Sequence, residues 1–278
     1  MLSPLSRSLT YLTAGLYALT GAVLFLLPNA MSAQFAWKVS PFVTMTIGAW
    51  CLGNAWLAWV TARRWQWSLV YTTLLYLGLF GVLETIVLIL FRDKLLLTHP
   101  IAWLYLAALV VNVVAAGWIT VEWLRAKPHL EPLGPPVNVA VRVLAVIFVL
   151  FVTLLGVYGL GADLSSPGTS GQIFPETMSL FTLRAFGAFY LSLALSVIPL
   201  IWARGLAAIL HHAYASYGLL VLITATALVF IGLFNFSAHP FQWLYLGAYL
   251  VVGVVVGYVL IRYGIGTSHS TKDTRRPE

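Results

Sequence analysis

The sequence predicts an all-α, polytopic membrane protein with eight transmembrane helices. Of its 278 residues, 61% are hydrophobic and 8% are charged, and its mean hydropathy is +0.93. Soluble domains carry about 25% charged residues, so this composition excludes a soluble globular protein. Strand-type alternation of apolar and polar residues, with turns about every ten residues, is absent, which argues against a membrane β-barrel.

Eight apolar blocks set the number of spans. A bilayer core about 30 Å thick requires about 20 apolar residues per helix. The blocks that reach this length have the approximate limits 8–27, 42–62, 67–91, 101–124, 139–160, 180–202, 206–234 and 241–263. We therefore expect eight membrane-spanning helices.

The basic residues predict how these spans are oriented. Fifteen Lys and Arg against eight Asp and Glu leave a net charge of +7, and these charges lie between the apolar blocks. That placement favours a role in membrane topology and gives no reason to expect nucleic acid as a partner. Eleven of the fifteen cations fall on the side of the N-terminus. The positive-inside rule then predicts a multi-pass protein of the cell membrane with both termini in the cytoplasm.

The first span has features of a secretory signal peptide. Arg7 precedes its apolar stretch, and Ala30-Met31-Ser32 places small residues where a signal peptidase reads them. Its apolar stretch exceeds the usual length of about 7 to 15 residues in such peptides. The first span also has a partner in the fifth, so we expect it to be a retained part of the fold.

That partner belongs to an internal duplication with an offset of about 140 residues. The stretch from His99 to Leu106 aligns with the stretch from His239 to Leu246, and six of the eight positions are identical. Because each copy has an even number of spans, both enter the membrane the same way up. Further matches are Phe35 with Phe174, Gly48-Ala49 with Gly187-Ala188, and Gly78-Leu79 with Gly218-Leu219.

The duplication predicts two parallel four-helix repeats, related by a pseudo-two-fold axis along the membrane normal. The expected units are a first repeat at 1–127, a Pro-rich cytoplasmic linker at 128–138, a second repeat at 139–263 and a polar cytoplasmic tail at 264–278. In both repeats the longest loop follows the first helix, at 28–41 and 161–179. We expect these two loops to lie outside and to cap an outward-facing cavity.

Two charged residues inside the spans are the main candidates for a ligand site. Glu84 lies in the third span and Arg184 in the sixth, at compatible depths, and a charge at such depth needs a partner or water. The repeat aligns Glu84 with Thr224 and Arg184 with Met45, so each copy keeps one charge. This pattern favours one asymmetric site at the interface between the repeats. The alternative is a buried salt bridge that only fixes how the repeats pack.

His99 and His239 are the second pair of candidates, since each precedes the proline that opens a span. In one interpretation they are interfacial capping residues, because proline suits the first helical turn. In the other they bind a metal, a haem or a quinone head group. With no cysteine nearby and no HExxH spacing, the first interpretation is favoured, and we expect neither a metal nor another cofactor.

The remaining polar residues in the spans predict helix contacts more than chemistry. Asn54 and Asn112 are typical of amides that link membrane helices, and His211 and His212 are expected to form an interfacial pair without a catalytic role. No Gly-rich phosphate loop, G-x-S-x-G motif or Asp-rich diphosphate site is present. No catalytic residue is therefore predicted.

One helix resembles a known group of membrane proteins. The segment Leu183-Arg184-Ala185-Phe186-Gly187-Ala188-Phe189-Tyr190-Leu191 is similar to the corresponding helix of small four-helix membrane proteins of the broad DoxX-like group. The resemblance covers one helix of eight, and the first repeat departs from it with Met45 in place of the arginine. It implies a four-helix unit that is duplicated here.

Three functions remain open at this point. The leading one is a membrane protein that binds or translocates a small lipophilic or weakly anionic molecule in an outward-facing pocket between the repeats. The second is an accessory or assembly subunit of a larger membrane complex, with membrane lipids and a membrane protein as partners. The third is an enzyme acting on a lipid or an isoprenoid, with Glu84 as its acid or base.

Overall fold

The computed structural model of the chain describes residues 3–166 and 173–264. Within them, eight helices are long and apolar enough to cross a membrane, which confirms the predicted all-α class and the number of spans. The predicted tail at 264–278 lies outside the described residues except for Gly264. The helices are α1 Pro4–Leu26, α2 Pro41–Arg63, α3 Trp67–Leu90, α4 Pro100–Ala126, α5 Val139–Gly161, α6 Leu180–Ile201, α7 Leu206–Val229 and α8 Gln242–Val259.

Local capping decides where several helices begin. The side chain of Ser3 accepts a hydrogen bond from the Ser6 N–H, and Pro4 occupies the first turn, so α1 begins four residues before the predicted limit. Ser40, Asn138 and Ser179 cap α2, α5 and α6 in the same way. Capping by short polar residues therefore determines the first residue of helices whose apolar stretches are recognisable in the sequence.

The ends of α7 and α8 differ from the predicted spans. α7 ends at Val229, and a separate 3-10 turn follows at Ile231–Leu233, so the predicted span to 234 was too long. α8 continues beyond Val259 as a π-helical turn, Leu260–Gly264. We call the end of the bundle at which α1 begins the N-terminal end, and the opposite end the distal end.

The helices pack within each half of the chain and also across the interface between the halves. α1 packs most extensively on α2, and α5 on α6. Across the halves, α2 packs on α7, α3 packs on α6, and α3 contacts α7. α1 also packs against α4, whereas α5 and α8 make at most weak contact. α2 and α6 therefore lie at the centre of the bundle, and α5 and α8 lie at its periphery.

Two glycines lie where helix backbones cross very closely. A Cβ atom on Gly48 of α2 would lie 2.5 Å from the backbone nitrogen of Phe25 in α1. A Cβ atom on Gly187 of α6 would lie 2.4 Å from the backbone nitrogen of Leu160 in α5. No real side chain fits at such distances, so both crossings depend on glycine.

The Pro-rich segment between the halves is docked onto α7. The Leu206 N–H donates to the Pro135 carbonyl at 2.9 Å, and the Ala207 N–H donates to the Leu133 carbonyl at 3.1 Å. These are N–H groups of the first helical turn, which have no partner inside a helix. The predicted linker therefore also caps the N-terminus of α7.

Candidate functional site

Glu84 lies in the interior of the first half of the chain. Its side chain is fully buried, and neither carboxyl oxygen has a hydrogen-bond partner. Four groups lie close enough to interact with it electrostatically: the hydroxyls of Tyr17, Tyr76 and Tyr105 and the thiol of Cys51. We call these five residues the Glu84 cluster. All four helices of the first half contribute to it.

Two amides tie the helices together around this cluster. The Tyr76 hydroxyl donates to Asn54 Oδ1 at 2.8 Å, which links α3 to α2. Asn112 Nδ2 lies 3.1 Å from the Tyr17 hydroxyl and 2.8 Å from the Leu77 carbonyl, so it links α4 to α1 and α3. Both asparagines thus hold buried phenols or backbone in place, as expected of amides in membrane helices.

Arg184 and Glu84 are not brought together. No ion pair joins them, and Arg184 Nη2 instead donates to the Ala162 carbonyl at 3.4 Å. The guanidinium carbon lies 5.7 Å from the centre of the Phe91 ring, while Nε is buried without a partner. Phe91 follows Glu84 by seven residues, or roughly 10 Å along a helix at 1.5 Å per residue. Arg184 therefore stays nearer the distal end than Glu84.

An aromatic stack runs from Arg184 towards the Glu84 cluster. The Phe91 and Phe181 rings are stacked at 4.9 Å, and the Phe181 and Trp37 rings at 4.4 Å. Trp37 in turn lies 5.9 Å from the Tyr105 ring, and its indole N–H donates to Thr182 Oγ1 at 3.2 Å. We call Trp37, Phe91 and Phe181 the aromatic plug. It joins both halves of the chain at the distal end.

Each of the two long distal loops, which the sequence predicted to cap a cavity, inserts aromatic side chains into the interior. Phe35 and Trp37 from the first loop are at most 1% exposed, and Phe174 from the second is 5% exposed. Ser40 Oγ donates to Glu176 Oε1, which joins the two loops. Aromatic side chains in both loops were the sequence signal for this burial, because large apolar rings are rarely left in water. Residues 167–172 of the second loop lie outside the described residues.

The four histidines that the sequence analysis considered lie outside the Glu84 cluster. His99 and His239 are partly exposed at the distal end, and His99 takes the position before α4 without forming a side-chain cap. His211 and His212 lie near the start of α7, and their side chains are buried inside the bundle. His212 Nδ1 lies 3.0 Å from Thr72 Oγ1. Among the described residues, no group of three or more His, Cys, Asp or Glu is placed to hold a metal ion.

A carboxylate clamp at the N-terminal end was missed by sequence reasoning. Glu122 near the end of α4 accepts hydrogen bonds from the Ser3 N–H at 2.9 Å, the Ser6 hydroxyl at 2.7 Å and the Trp118 indole at 2.7 Å. The Ser3 hydroxyl also donates to it. The Trp118-to-Glu122 spacing of four residues was a local signal, but the partners in α1 are distant in sequence. The clamp closes α1 onto α4.

Glu176 predicts a pH dependence of stability at the distal end. Burial raises the pKa of Glu176, despite the hydrogen bond from Ser40. The folded state thus favours the neutral acid, so the stabilisation is present at acid pH and is lost as the pH rises through the folded pKa. We expect Glu176→Gln, which stays neutral, to gain melting temperature relative to the parent chain by a few degrees at most, and to gain more at pH 7 than at pH 4.

The control for that measurement is Asp163→Asn. Hydrogen bonds from Ser165 and Ser166 lower the pKa of the exposed Asp163 carboxyl, so its contribution is lost as the pH falls. The expected change in melting temperature therefore has the opposite sign. Asp163→Asn should melt at a lower temperature than the parent chain at pH 7, with a smaller difference at pH 4. Thermal unfolding in detergent at the two pH values would contradict both expectations if the two variants responded alike.

Neither of two clefts on the described surface contains Glu84 or Arg184. One has a volume of about 10 Å³ and lies among α1, α3 and α4 beside Asn112. The other has a volume of about 340 Å³ and lies between α3 and α4 at the distal end. Neither cleft is the predicted pocket, and Glu84 has no exposed surface.

Comparisons with protein-family models, with curated proteins and with solved structures each returned no match to the chain. The DoxX-like resemblance of α6 stays a prediction.

Proposed function

We propose that the chain consists of two parallel four-helix repeats related by a pseudo-two-fold axis. A residue that lies on such an axis contacts the residue aligned with it in the other repeat, and two contacts have this property. The Trp50 and Phe189 rings, which align in the repeat, are stacked at 4.6 Å and 8°. Thr72 and His212, which are 140 residues apart, are hydrogen-bonded across α3 and α7. Both contacts support an axis between the halves.

Contacts repeated within and between the halves also support this symmetry. Phe35 lies edge-on to Tyr105 at 5.1 Å, and the aligned residues Phe174 and Tyr245 lie edge-on at 5.5 Å. Gly48 and Gly187, which align in the repeat, both lie at close helix crossings. The repeat makes α2 equivalent to α6 and α3 equivalent to α7. The contact of α2 with α7 therefore corresponds to the contact of α6 with α3, and both contacts are present across the halves.

We propose that this membrane protein binds or translocates a small lipophilic or weakly anionic molecule in an outward-facing pocket between the repeats. The buried Glu84 carboxyl, with both oxygens unbonded, is the observation that carries the proposal. An unpaired polar group in a membrane interior is costly, so Glu84 needs a proton, water or a ligand as its partner. Such residues are functional candidates by default.

Arg184 and the aromatic plug supply the other parts of this pocket. The plug connects Arg184, at the distal rim, with Tyr105 of the Glu84 cluster. A guanidinium with an unpartnered buried nitrogen attracts an anionic head group, and the rings offer apolar surface to the rest of the molecule. With both termini in the cytoplasm of the cell, as the basic loops predict, the rim faces outward.

The second candidate, an accessory subunit of a membrane complex, is favoured by one difference between the halves. α1 packs on α4 in the first half, but α5 and α8 make at most weak contact in the second. Apolar residues on both peripheral helices, including Leu154 and Val254, remain exposed. A helix of another subunit would bury this surface.

Binding of 8-bromooctanoic acid tests the leading proposal, because bromine quenches nearby tryptophans such as Trp37. The purified protein in detergent should show saturable quenching that exceeds the quenching by 8-bromooctanol. We expect Arg184→Ala to remove the preference for the acid, and Glu84→Gln to weaken binding of the probe about tenfold, which corresponds to about 1.4 kcal/mol.

The matched control is Lys94→Gln, which removes an exposed cation at the same end. This variant should bind the bromo acid as the parent chain does. Circular dichroism must show that all variants remain folded. Equal saturable binding by folded Glu84→Gln, Arg184→Ala and the parent chain would overturn the proposal.

A further inference from the structure

The groove between α3 and α4 is an apolar surface site with one charged wall residue. Its volume of about 340 Å³ falls in the range of roughly 300–1,000 Å³ found for small-molecule pockets. Arg92, which follows the end of α3, is the charged residue. The apolar lining is formed by Leu88, Ile89, Leu95, Leu106, Leu109 and Val110.

The segment that shapes the distal end of this groove is held by hydrogen bonds. The Leu95 N–H donates to the Arg92 carbonyl at 3.2 Å, and the Leu96 N–H donates to the Ala36 carbonyl at 2.8 Å. The Trp103 indole N–H donates to the Leu97 carbonyl at 3.0 Å. A site that is already ordered avoids much of the entropy cost of binding.

The Arg92 guanidinium is available to an anionic group. Its side chain is 78% exposed, and its ion pair with Asp93 is long, at 3.9 Å. Arg92 lies just beyond the apolar span of α3. In a membrane crossed by α3, this position would be at the level of the lipid head groups, and the apolar groove beside the helix would face the hydrocarbon. The positive charge of Arg92 and the apolar lining of the groove beside it therefore match a molecule with an anionic head and an apolar tail.

We propose that this groove binds one acyl chain of an anionic membrane phospholipid, with the lipid phosphate against Arg92. Arginine suits this role because its planar donors match phosphate oxygens in pairs. The proposal is independent of the pocket at Glu84, since neither Glu84 nor Arg184 lines the groove.

Native mass spectrometry with equal amounts of a phosphatidylglycerol and a phosphatidylcholine of the same acyl chains tests the lipid site. The parent chain should retain the phosphatidylglycerol preferentially. Arg92→Gln should reduce that preference about fivefold, which corresponds to the roughly 1 kcal/mol that a basic side chain contributes near anionic lipid. Val110→Trp should fill the groove and reduce retention of both lipids.

Lys94→Gln is the matched control, since it removes a cation of the same loop that does not line the groove. It should leave the preference unchanged. An Arg92→Gln variant with the parent's preference would overturn the proposal, and so would a folded Val110→Trp variant with the parent's retention. Equal loss in Lys94→Gln would show a general surface charge effect and would also overturn it.

Discussion

Replacing Gly48 or Gly187 by alanine is expected to destabilise the protein by about 3 kcal/mol or more, because each new Cβ would meet backbone that cannot move aside cheaply. The contact distances are 2.5 Å to the Phe25 nitrogen and 2.4 Å to the Leu160 nitrogen. If the two positions are equivalent in the repeat, the two variants should lose similar melting temperature. Circular dichroism of purified protein on heating would measure this.

Gly117→Ala and Gly253→Ala are the controls for the glycine crossings. Both positions lie inside helices, and a Cβ at either meets nothing within 4 Å. Alanine in an open helix position stabilises by about 0.5–1 kcal/mol relative to glycine, so the sign should reverse. Equal destabilisation by all four substitutions would contradict the proposed role of close crossing.

Opening the aromatic plug is expected to make Cys51 reactive. Cys51 is the single cysteine of the chain, is fully buried and belongs to the Glu84 cluster. Removing the Phe181 ring takes away the centre of the stack, and we expect this to admit the reagent from the distal end. We expect Phe181→Ala to increase the rate of labelling by N-ethylmaleimide at least about tenfold at pH 8, near the ordinary pKa of a free thiol of about 8.5.

The control for the plug is Phe236→Ala, which removes a ring stacked on Trp243 at the same end. Its labelling rate should match that of the parent chain. A Phe-to-Ala change in a core costs about 3–5 kcal/mol, so Phe181→Leu serves as the milder variant if Phe181→Ala unfolds. An unlabelled Cys51 in a folded plug variant would contradict an outward path to the Glu84 cluster.

The number of spans could be predicted from composition, whereas the candidate site could be predicted only in part. Apolar length alone predicts a membrane helix, because each span satisfies its own backbone. The burial of Glu84 followed from its depth in a span. Its separation from Arg184 did not, because the docking of Phe91 against the guanidinium depends on how α3 meets α6.

Other differences have similarly non-local causes. The position of His211 and His212 near the start of a span was predicted, whereas their burial results from the packing of α7 on α2 and α3. The clamp at Glu122 joins residues at the beginning and at the end of the first half of the chain. Such contacts depend on which helices become neighbours, which a single sequence does not specify.

Thr72 facing His212 has a consequence for how the two halves depend on each other. On a strict two-fold axis of two identical subunits, a threonine would face a threonine and a histidine would face a histidine. One covalent chain removes that constraint, so each half can carry the complement of the other, as Trp50 and Phe189 also do. If the proposed axis relates the halves, neither half paired with a copy of itself would reproduce these contacts, and each half would need the other to complete its interface.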